Sequence, residues 1–211
     1  MTGNKDLRSG LQAISLKGCG LVVALLVCLS LGCCAGSVPS PLMLHTQSLQ
    51  SLYPEALKMA KEWQQDAYLI SARTDFAVND VDADLSASFF FLSDTYPWTM
   101  LHISNFPTLQ FSSEEVSIPG LNRAENPAIL DSEWPVDSID ALEIAQDSGG
   151  ADFLQGRSTH DLYLYLKLEK QAVEDGFLTV WFAYYHDRTD KEALCLTIDA
   201  VTGQVVGREC K

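Results

Sequence analysis

The sequence has few basic residues. It contains 14 lysines and arginines against 28 aspartates and glutamates, so its formal net charge is −14. Without residues 1–32, 11 basic and 27 acidic residues remain and the charge is −16. Such a chain would repel the phosphates of nucleic acids rather than release their counterions, and it disfavours anionic lipid headgroups for the same reason. The composition therefore predicts an acidic, soluble surface and no nucleic-acid partner.

The sequence also lacks the short motifs that carry most enzyme chemistry. It has no Gly-x-Ser-x-Gly, His-x-x-x-His or Cys-x-x-Cys motif and no glycine-rich phosphate loop. Nucleophilic catalysis needs a positioned base, and the four histidines lie in unrelated contexts. Carboxylate pairs such as Glu114-Glu115 arise by chance in so acidic a chain. We therefore predict a protein that is not an enzyme, with no catalytic residue, no metal and no cofactor.

One uncharged stretch, residues 18–36, differs from everything that follows it. It reads GCGLVVALLVCLSLGCCAG and comes after Lys5, Arg8 and Lys17. A basic start, an apolar centre and then small residues form the pattern of a secretory signal. The positive flank is expected to stay in the cytoplasm, so the remainder of the chain would be exported.

Leu29-Ser30-Leu31-Gly32-Cys33 resembles a bacterial lipobox, in which a small residue precedes a cysteine that is acylated and becomes the mature N-terminus. The resemblance implies lipidation of Cys33, although Cys34 leaves the register open. A span needs roughly 20 apolar residues, so a retained anchor is an alternative, and a cleaved signal with free secretion is another. We predict that residues 1–33 are a signal with a lipobox or a membrane anchor, that residues 34–53 are a linker, and that the protein is held on the exported side of the cell membrane.

Cysteine is scarce outside this apolar stretch, where only Cys195 and Cys210 remain. Export would permit a disulfide bond between them. If their strands form a simple hairpin, Cys210 falls a few residues beyond the point opposite Cys195. A bond would therefore require a bulge or a tail that folds back. The sequence leaves this open, and such a bond would fix the C-terminus rather than perform chemistry.

The exported part shows a helical pattern followed by strand patterns, twice. Pro54 is predicted to open an amphipathic helix, because apolar residues from Ala56 to Ala67 recur at helical spacing. Asp137 or Ser138 can cap a second helix. Strands are predicted at residues 68–72, 86–92, 98–104 and 108–118, and again at 161–168, 177–185, 193–199 and 204–208.

These patterns predict an α+β protein of two similar units, residues 54–130 and 131–211. Each unit would be a helix packed on an antiparallel sheet of three to four strands, since elements of this number can cover one another. The second helix is predicted to end at Gly149-Gly150, which tolerate a left-handed turn.

The second unit contains two recognisable sequences. One is the helix core formed by Ala141, Leu142, Ile144 and Ala145, and the other is the closing sequence LTIDAVTGQVV at residues 196–206. With these, residues 134–207 resemble a PepSY-type domain, a small exported α+β module of bacterial peptidase propeptides and membrane-associated proteins. In that family an Asp-Ala-x-Thr-Gly turn joins the last two strands. The resemblance implies no catalytic residues and a role in binding or restraining a peptidase.

Four aromatic residues, Tyr163, Tyr165, Trp181 and Tyr185, are predicted to line one sheet face suited to peptide or sugar contact. The alternative is that this face packs on a helix or on the other half. The resulting prediction is a membrane-tethered, extracytoplasmic, non-enzymatic module that binds an unidentified protein or peptide, such as a peptidase or another envelope protein. A structural envelope protein that self-associates through an apolar patch and a carboxylate-dependent hydrolase are the alternatives.

Overall fold

The computed structural model describes residues 47–76, 86–105, 110–121, 123–158 and 161–210. The chain divides into two units, residues 1–39 and 40–211, and every described residue belongs to the second. The predicted lipidation at Cys33, and the signal or anchor around it, therefore lie outside the described residues. Within the described part, no helix is both long enough and apolar enough to cross a bilayer.

The first helix, α1, spans Leu49–Trp63. Ser48 is its N-cap: the Ser48 hydroxyl accepts a hydrogen bond from the Ser51 N–H, and the Ser51 hydroxyl accepts one from the Ser48 N–H, both at 3.1 Å. This reciprocal pair satisfies donors that a helix start leaves open. The prediction that Pro54 opens the helix is wrong, because Pro54 is its sixth residue, and residues 49–53 are helix rather than linker.

Eight antiparallel strands form one continuous sheet in the order β4-β3-β2-β1-β5-β6-β7-β8. The predicted α+β class is confirmed. The strands of the two halves do not form separate sheets, because β1 and β5 pair with each other, from Ser71 opposite Glu169 to Phe76 opposite Leu164. The similarity of the two halves stays a prediction. The strands are β1 (Tyr68–Phe76), β2 (Ser86–Leu92), β3 (Thr99–Ser104), β4 (Ser112–Ser117), β5 (Leu162–Val173), β6 (Gly176–Asp187), β7 (Ala193–Asp199) and β8 (Val205–Gly207).

The second helix, α2, spans Ser138–Ala145. Asp137 caps it, as predicted, and its carboxylate accepts the Ser138 N–H at 2.5 Å. A single π-type turn, Gln146–Gly150, follows and contains Gly149 at φ +121°. A short third helix, α3 (Ala151–Leu154), then continues the segment. The glycine pair therefore kinks the helical segment instead of ending it.

Both longer helices pack on one face of the sheet, which we call the inner face. α1 contacts β1, β2 and β3, and α2 contacts β5, β6 and β7. Trp134, just before α2, is buried between the two halves of the core. Its ring centroid lies 5.5 Å from that of Tyr53 in α1 and 6.1 Å from that of Trp181 in β6. The two halves therefore share one hydrophobic core.

The N-termini of α1 and α2 meet at this core. The Leu49 N–H donates to the Ser138 hydroxyl at 2.9 Å, and the Gln50 N–H donates to the Asp137 carboxylate at 3.2 Å. These N–H groups have no partner within their own helix. One carboxylate thus lies beside the partially positive starts of two helices, where a negative charge is stabilising.

The C-terminal tail is fixed to β7. A disulfide bond joins Cys195 and Cys210, whose Cα atoms are 5.0 Å apart. The β7–β8 register shifts between Thr197 and Ile198 and pairs Thr197 with Gly207, so the chain that continues along β7 brings Cys210 beside Cys195. The bulge is thus the one of the two predicted routes that the structure contains. In the preceding turn, the Asp199 carboxylate accepts hydrogen bonds from the N–H groups of Val201 and Thr202, both at 2.8 Å.

Candidate functional site: the outer face of the sheet

The sheet face opposite the helices, the outer face, carries a band of aromatic side chains. Tyr163 and Tyr165 lie on β5, and Phe182, Tyr184 and His186 lie on β6; all five are half-buried. Their common face follows from the register, in which Tyr163 pairs with His186 and Tyr165 with Tyr184. We call these five residues the aromatic band.

Trp181 and Tyr185 do not belong to this band. They pair with Leu168 and Leu164 of the inner face and are 0% and 1% exposed. The prediction that they share a face with Tyr163 and Tyr165 is therefore wrong, because neighbouring strand residues point to opposite sides. These two residues pack inside the protein, which is the alternative to an exposed binding face.

Each of the two buried aromatic residues has a polar partner. The Trp181 indole N–H donates to the Val136 carbonyl at 2.8 Å. The Gln146 side-chain amide donates to the Tyr185 hydroxyl at 3.2 Å, and burial raises the pKa of Tyr185 well above its usual range. Both residues are core anchors.

The rings of the aromatic band contact one another. The Tyr165 ring centroid lies 5.1 Å from that of Tyr184 and 5.7 Å from that of Tyr163. Along β6, the planes of Phe182 and Tyr184 differ by 17° and those of Tyr184 and His186 by 13°. Rings at these separations support one another. The band therefore presents an ordered aromatic surface rather than isolated side chains.

A charged pair on β1 borders the band. Arg73 and Asp75 form an ion pair with 2.5 Å between Nη2 and Oδ1. The Tyr163 hydroxyl donates to Asp75 at 2.6 Å, and Arg73 also contacts that hydroxyl. The guanidinium lies 4.3 Å from the centroid of the Tyr165 ring, within cation–π range. Burial, together with the hydrogen bond to Asp75, raises the pKa of Tyr163 to about 12, so its hydroxyl is a donor at neutral pH.

The outer face carries a second aromatic contact on β2 and β3. Phe90 and His102 are opposite in register, and their rings stack with centroids 4.8 Å apart. His102 Nε2 lies 3.1 Å from the Ser88 hydroxyl. Burial lowers the pKa of His102, although Glu114 on β4 opposes the shift. His102 is thus a packed histidine, held between the Phe90 ring and the Ser88 hydroxyl.

A cleft of about 300 Å³ opens on the outer face where the β1–β2 register shifts, between Leu69 and Ser71. Phe90 and Met100 supply its apolar lining, and Lys167 and Glu169 line its β5 side. Those two charges form an ion pair of 2.5 Å. The cleft therefore holds paired charges beside an apolar lining.

Two carboxylates that are not fully exposed, Glu133 and Asp187, have structural partners. Burial acts to raise the pKa of Glu133, but the Leu130 N–H and Lys170 together lower it. The Thr189 N–H holds the pKa of Asp187 below its usual range. A general acid at neutral pH needs a raised pKa, which these groups lack. In the part of the chain that the structure describes, no group of three or more metal-ligating side chains is placed to hold a metal ion.

Sequence reasoning missed Arg73, Asp75, Phe182, Tyr184 and His186. The last three lie on β6, which has aromatic residues on both faces, so the pattern of β6 alone does not say which of them share a face with Tyr165. The alternation of β5 does show that its leucines face inward and that Tyr163 and Tyr165 face outward. The β5–β6 register then decides which residues of β6 lie beside them.

Comparisons with known proteins do not assign a family. No family model matches the sequence, and no curated protein matches it. A similar solved structure is that of a protein from Clostridium difficile 630 described as a "putative lipoprotein", with a TM-score of 0.45 and 16% sequence identity over 74% of this chain and 91% of that one. A likeness of this extent carries no argument about function.

Proposed function

We propose that this protein is a non-enzymatic binding module, held on the exported side of the membrane by its N-terminal segment, and that it binds a protein or peptide on the outer face of its sheet. The observation that carries the proposal is the aromatic band, a continuous set of half-buried rings on the face that α1 and α2 leave open. Tyrosine and arginine are among the residues that contribute most to protein interfaces.

The charges on this face support a binding role. The protein as a whole is strongly acidic, yet Arg73 pairs with Asp75 and Lys167 pairs with Glu169. A partner that covers these pairs does not have to bury an unpaired charge, which is the costly case. The paired charges beside the aromatic band thus allow an apolar or neutral segment to dock there.

The finer form of the proposal is that the partner is a peptidase, which the module binds or restrains. Its support is the resemblance of residues 134–207 to PepSY-type domains. In the Asp199 turn of that segment, the carboxylate accepts hydrogen bonds from the N–H groups of Val201 and Thr202. Gly203 closes that turn with φ +71°, a conformation that glycine adopts without strain.

Hydrolysis by carboxylates has less support. The Glu169 carboxylate in the cleft is paired with Lys167, and Glu133 beside it is paired with Lys170 at 2.9 Å. A catalytic pair needs one carboxyl group that stays protonated near neutral pH. For Glu133, although burial opposes it, the ion pair with Lys170 favours the ionised form instead and lowers its pKa, so the geometry favours binding.

The binding proposal is tested by photo-cross-linking in cells that express the full chain. A photoreactive amino acid replaces Tyr184 on the aromatic band or, as the matched control, Lys58 on the exposed side of α1. We expect a discrete protein adduct from position 184 that disappears in a Tyr165→Ser background, and none from position 58. Adducts of equal yield from both positions, or none from position 184, would contradict the binding role.

Intact-mass analysis of the mature protein tests the tether separately. We expect a chain that begins at Cys33 with an attached lipid, or a full-length chain recovered with the membrane. A shorter chain without lipid, found in the medium, would show that the membrane attachment is wrong and would leave the binding face unaffected.

A further inference from the structure

Exposed apolar side chains are concentrated at one end of the sheet. Eight large hydrophobic side chains are exposed among the described residues. Most of them lie in the loops or at the strand ends where β1 begins and where β2, β5 and β7 end. We call this the β1-start end. Its exposed members include Tyr96, Trp98, Leu130, Val173, Phe177 and Val201.

The antiparallel registers place these segments together. Tyr68 at the start of β1 pairs with Leu92 at the end of β2, so the hairpin with Tyr96 and Trp98 projects from this end. Val173 pairs with Gly176 in the turn between β5 and β6. Trp98 is 54% exposed and Phe177 is 43% exposed. Two hairpins, separated by β1, therefore carry exposed aromatic residues beyond the same edge of the sheet.

The described chain also starts at this end. Leu49 bonds to Ser138, and two residues earlier the Val136 N–H donates to the Ala200 carbonyl at 3.0 Å, just after β7 ends. Eleven residues separate Gly36 from Ser48, and an extended chain of that length spans at most roughly 40 Å. The described chain therefore begins at the end that carries the exposed apolar residues.

We propose that the β1-start end rests on the bilayer surface, with Tyr96, Trp98 and Phe177 inserted among the lipid headgroups. This inference rests on the membrane attachment proposed above. Tyrosine and tryptophan favour the boundary between water and lipid because each combines an apolar ring with a polar group. The bilayer suits this surface because it is flat and can touch separate hairpins at once, and because the described chain, which follows the proposed tether in the sequence, begins at the same end of the domain.

The charges at this end define which lipids fit. Asp94 lies in the Tyr96 hairpin, and Glu174 and Asp175 lie in the turn before Phe177; all three are exposed. These carboxylates repel anionic headgroups, and salt screens the repulsion. Contact is therefore expected with zwitterionic lipid, weaker with anionic lipid at low salt, and restored at high salt.

The test uses the full chain in phosphatidylcholine vesicles whose acyl chains carry bromine, which quenches tryptophan emission at short range. The emission of Trp98 is obtained by subtracting the fluorescence of Trp98→Phe from that of the wild type. The matched probe for the opposite end is Thr189→Trp in the Trp98→Phe background, since residue 189 lies in the exposed β6–β7 loop. We expect loss of most of the Trp98 emission and no change for the probe at position 189.

Two further variants separate this inference from the binding face. Tyr96→Ser with Phe177→Ser should reduce the quenching of Trp98, whereas Tyr184→Ser on the aromatic band should not. If the protein floats with the vesicles but Trp98 is not quenched, or both probes are quenched equally, the inference is wrong and the attachment stands. If it does not float, the attachment and this inference both fail.

A second copy of the chain is the competing occupant of this end. In that case Trp98 would become protected from acrylamide as protein concentration rises, without lipid present, and that result would overturn contact with lipid. Protection that depends on lipid and not on protein concentration supports it.

Discussion

The Tyr163 hydroxyl donates a 2.6 Å hydrogen bond to the Asp75 carboxylate across the junction of β1 and β5. Among the described strands, the two halves meet in the sheet only where β1 pairs with β5, because the order runs from β4 to β8 through this pair. The bond therefore links the aromatic band of the second half to the charged pair of the first.

Tyr163→Phe is expected to lower the free energy of unfolding by about 1 kcal/mol at neutral pH, because Asp75 loses a donor. The pKa of Tyr163 is raised from 10.0 to about 12 in the folded protein, so folding favours the neutral phenol. Its contribution is present below pH 10 and is lost as pH rises towards 12. Urea unfolding at a series of alkaline pH values should show that the difference in free energy of unfolding between the wild type and the variant disappears as the pH rises from 10 towards 12.

The control for this prediction is Tyr96→Phe, which removes a hydroxyl from an exposed hairpin residue. If Tyr163→Phe and Tyr96→Phe have the same effect at neutral pH, the bond to Asp75 contributes nothing measurable to stability.

Trp181→Ala and Phe182→Ala compare neighbouring aromatic residues on opposite faces. Trp181 is completely buried, so its truncation should cost about 3–5 kcal/mol. Phe182 is half-buried on the open outer face, so its loss should destabilise much less. Thermal and urea unfolding measure both. Similar losses would mean that the outer face is covered in the folded protein, which would contradict its role as a binding surface.

Asp137→Ala removes the carboxylate that lies at two helix starts. We expect a loss of about 1–2 kcal/mol, the upper range for an N-cap, because the Gln50 N–H of α1 and the Ser138 N–H of α2 both lose an acceptor. Asp152→Ala, in the first turn of α3 and exposed, is the matched control. If Asp137→Ala and Asp152→Ala lower the urea midpoint equally, the hydrogen bonds of Asp137 to the two helix starts add nothing measurable to stability.

Cys210→Ser opens a disulfide that closes a loop with a sequence separation of 15 residues. Loop-closure entropy predicts a loss of about 3 kcal/mol. Unfolding with and without a reducing agent provides the measurement: the wild type should become as unstable as Cys210→Ser when reduced, and the variant should not respond. A wild type whose stability does not respond to reduction would contradict the prediction.

The sequence predicts the bounds of a strand well where turn residues flank it on both sides. Ser86–Leu92 and Ala193–Asp199 have the predicted bounds, since turn residues flank both. β5 continues beyond the predicted Leu168 to Val173. There the hydrophobic alternation stops, and the strand is maintained by pairing with β6, which local patterns do not describe.

The site was predicted only in part for the same reason. The outward direction of Tyr163 and Tyr165 follows from the leucines between them. The inward direction of Trp181 and Tyr185 depends on the register between β5 and β6, which the aromatic residues on both faces of β6 leave undecided. Arg73 and Asp75 come to border the band through the pairing of β1 with β5. These two strands are far apart in the sequence, so no short window contains the information.

The pairing of β1 with β5 also sets an order of events during synthesis. β5 begins 86 residues after β1 ends, and at ordinary translation speeds those residues take on the order of ten seconds to appear. Until then the free edge of β1 is open to pairing with other chains. The nascent first half therefore depends on prompt completion of the chain, or on a chaperone that shields this edge meanwhile.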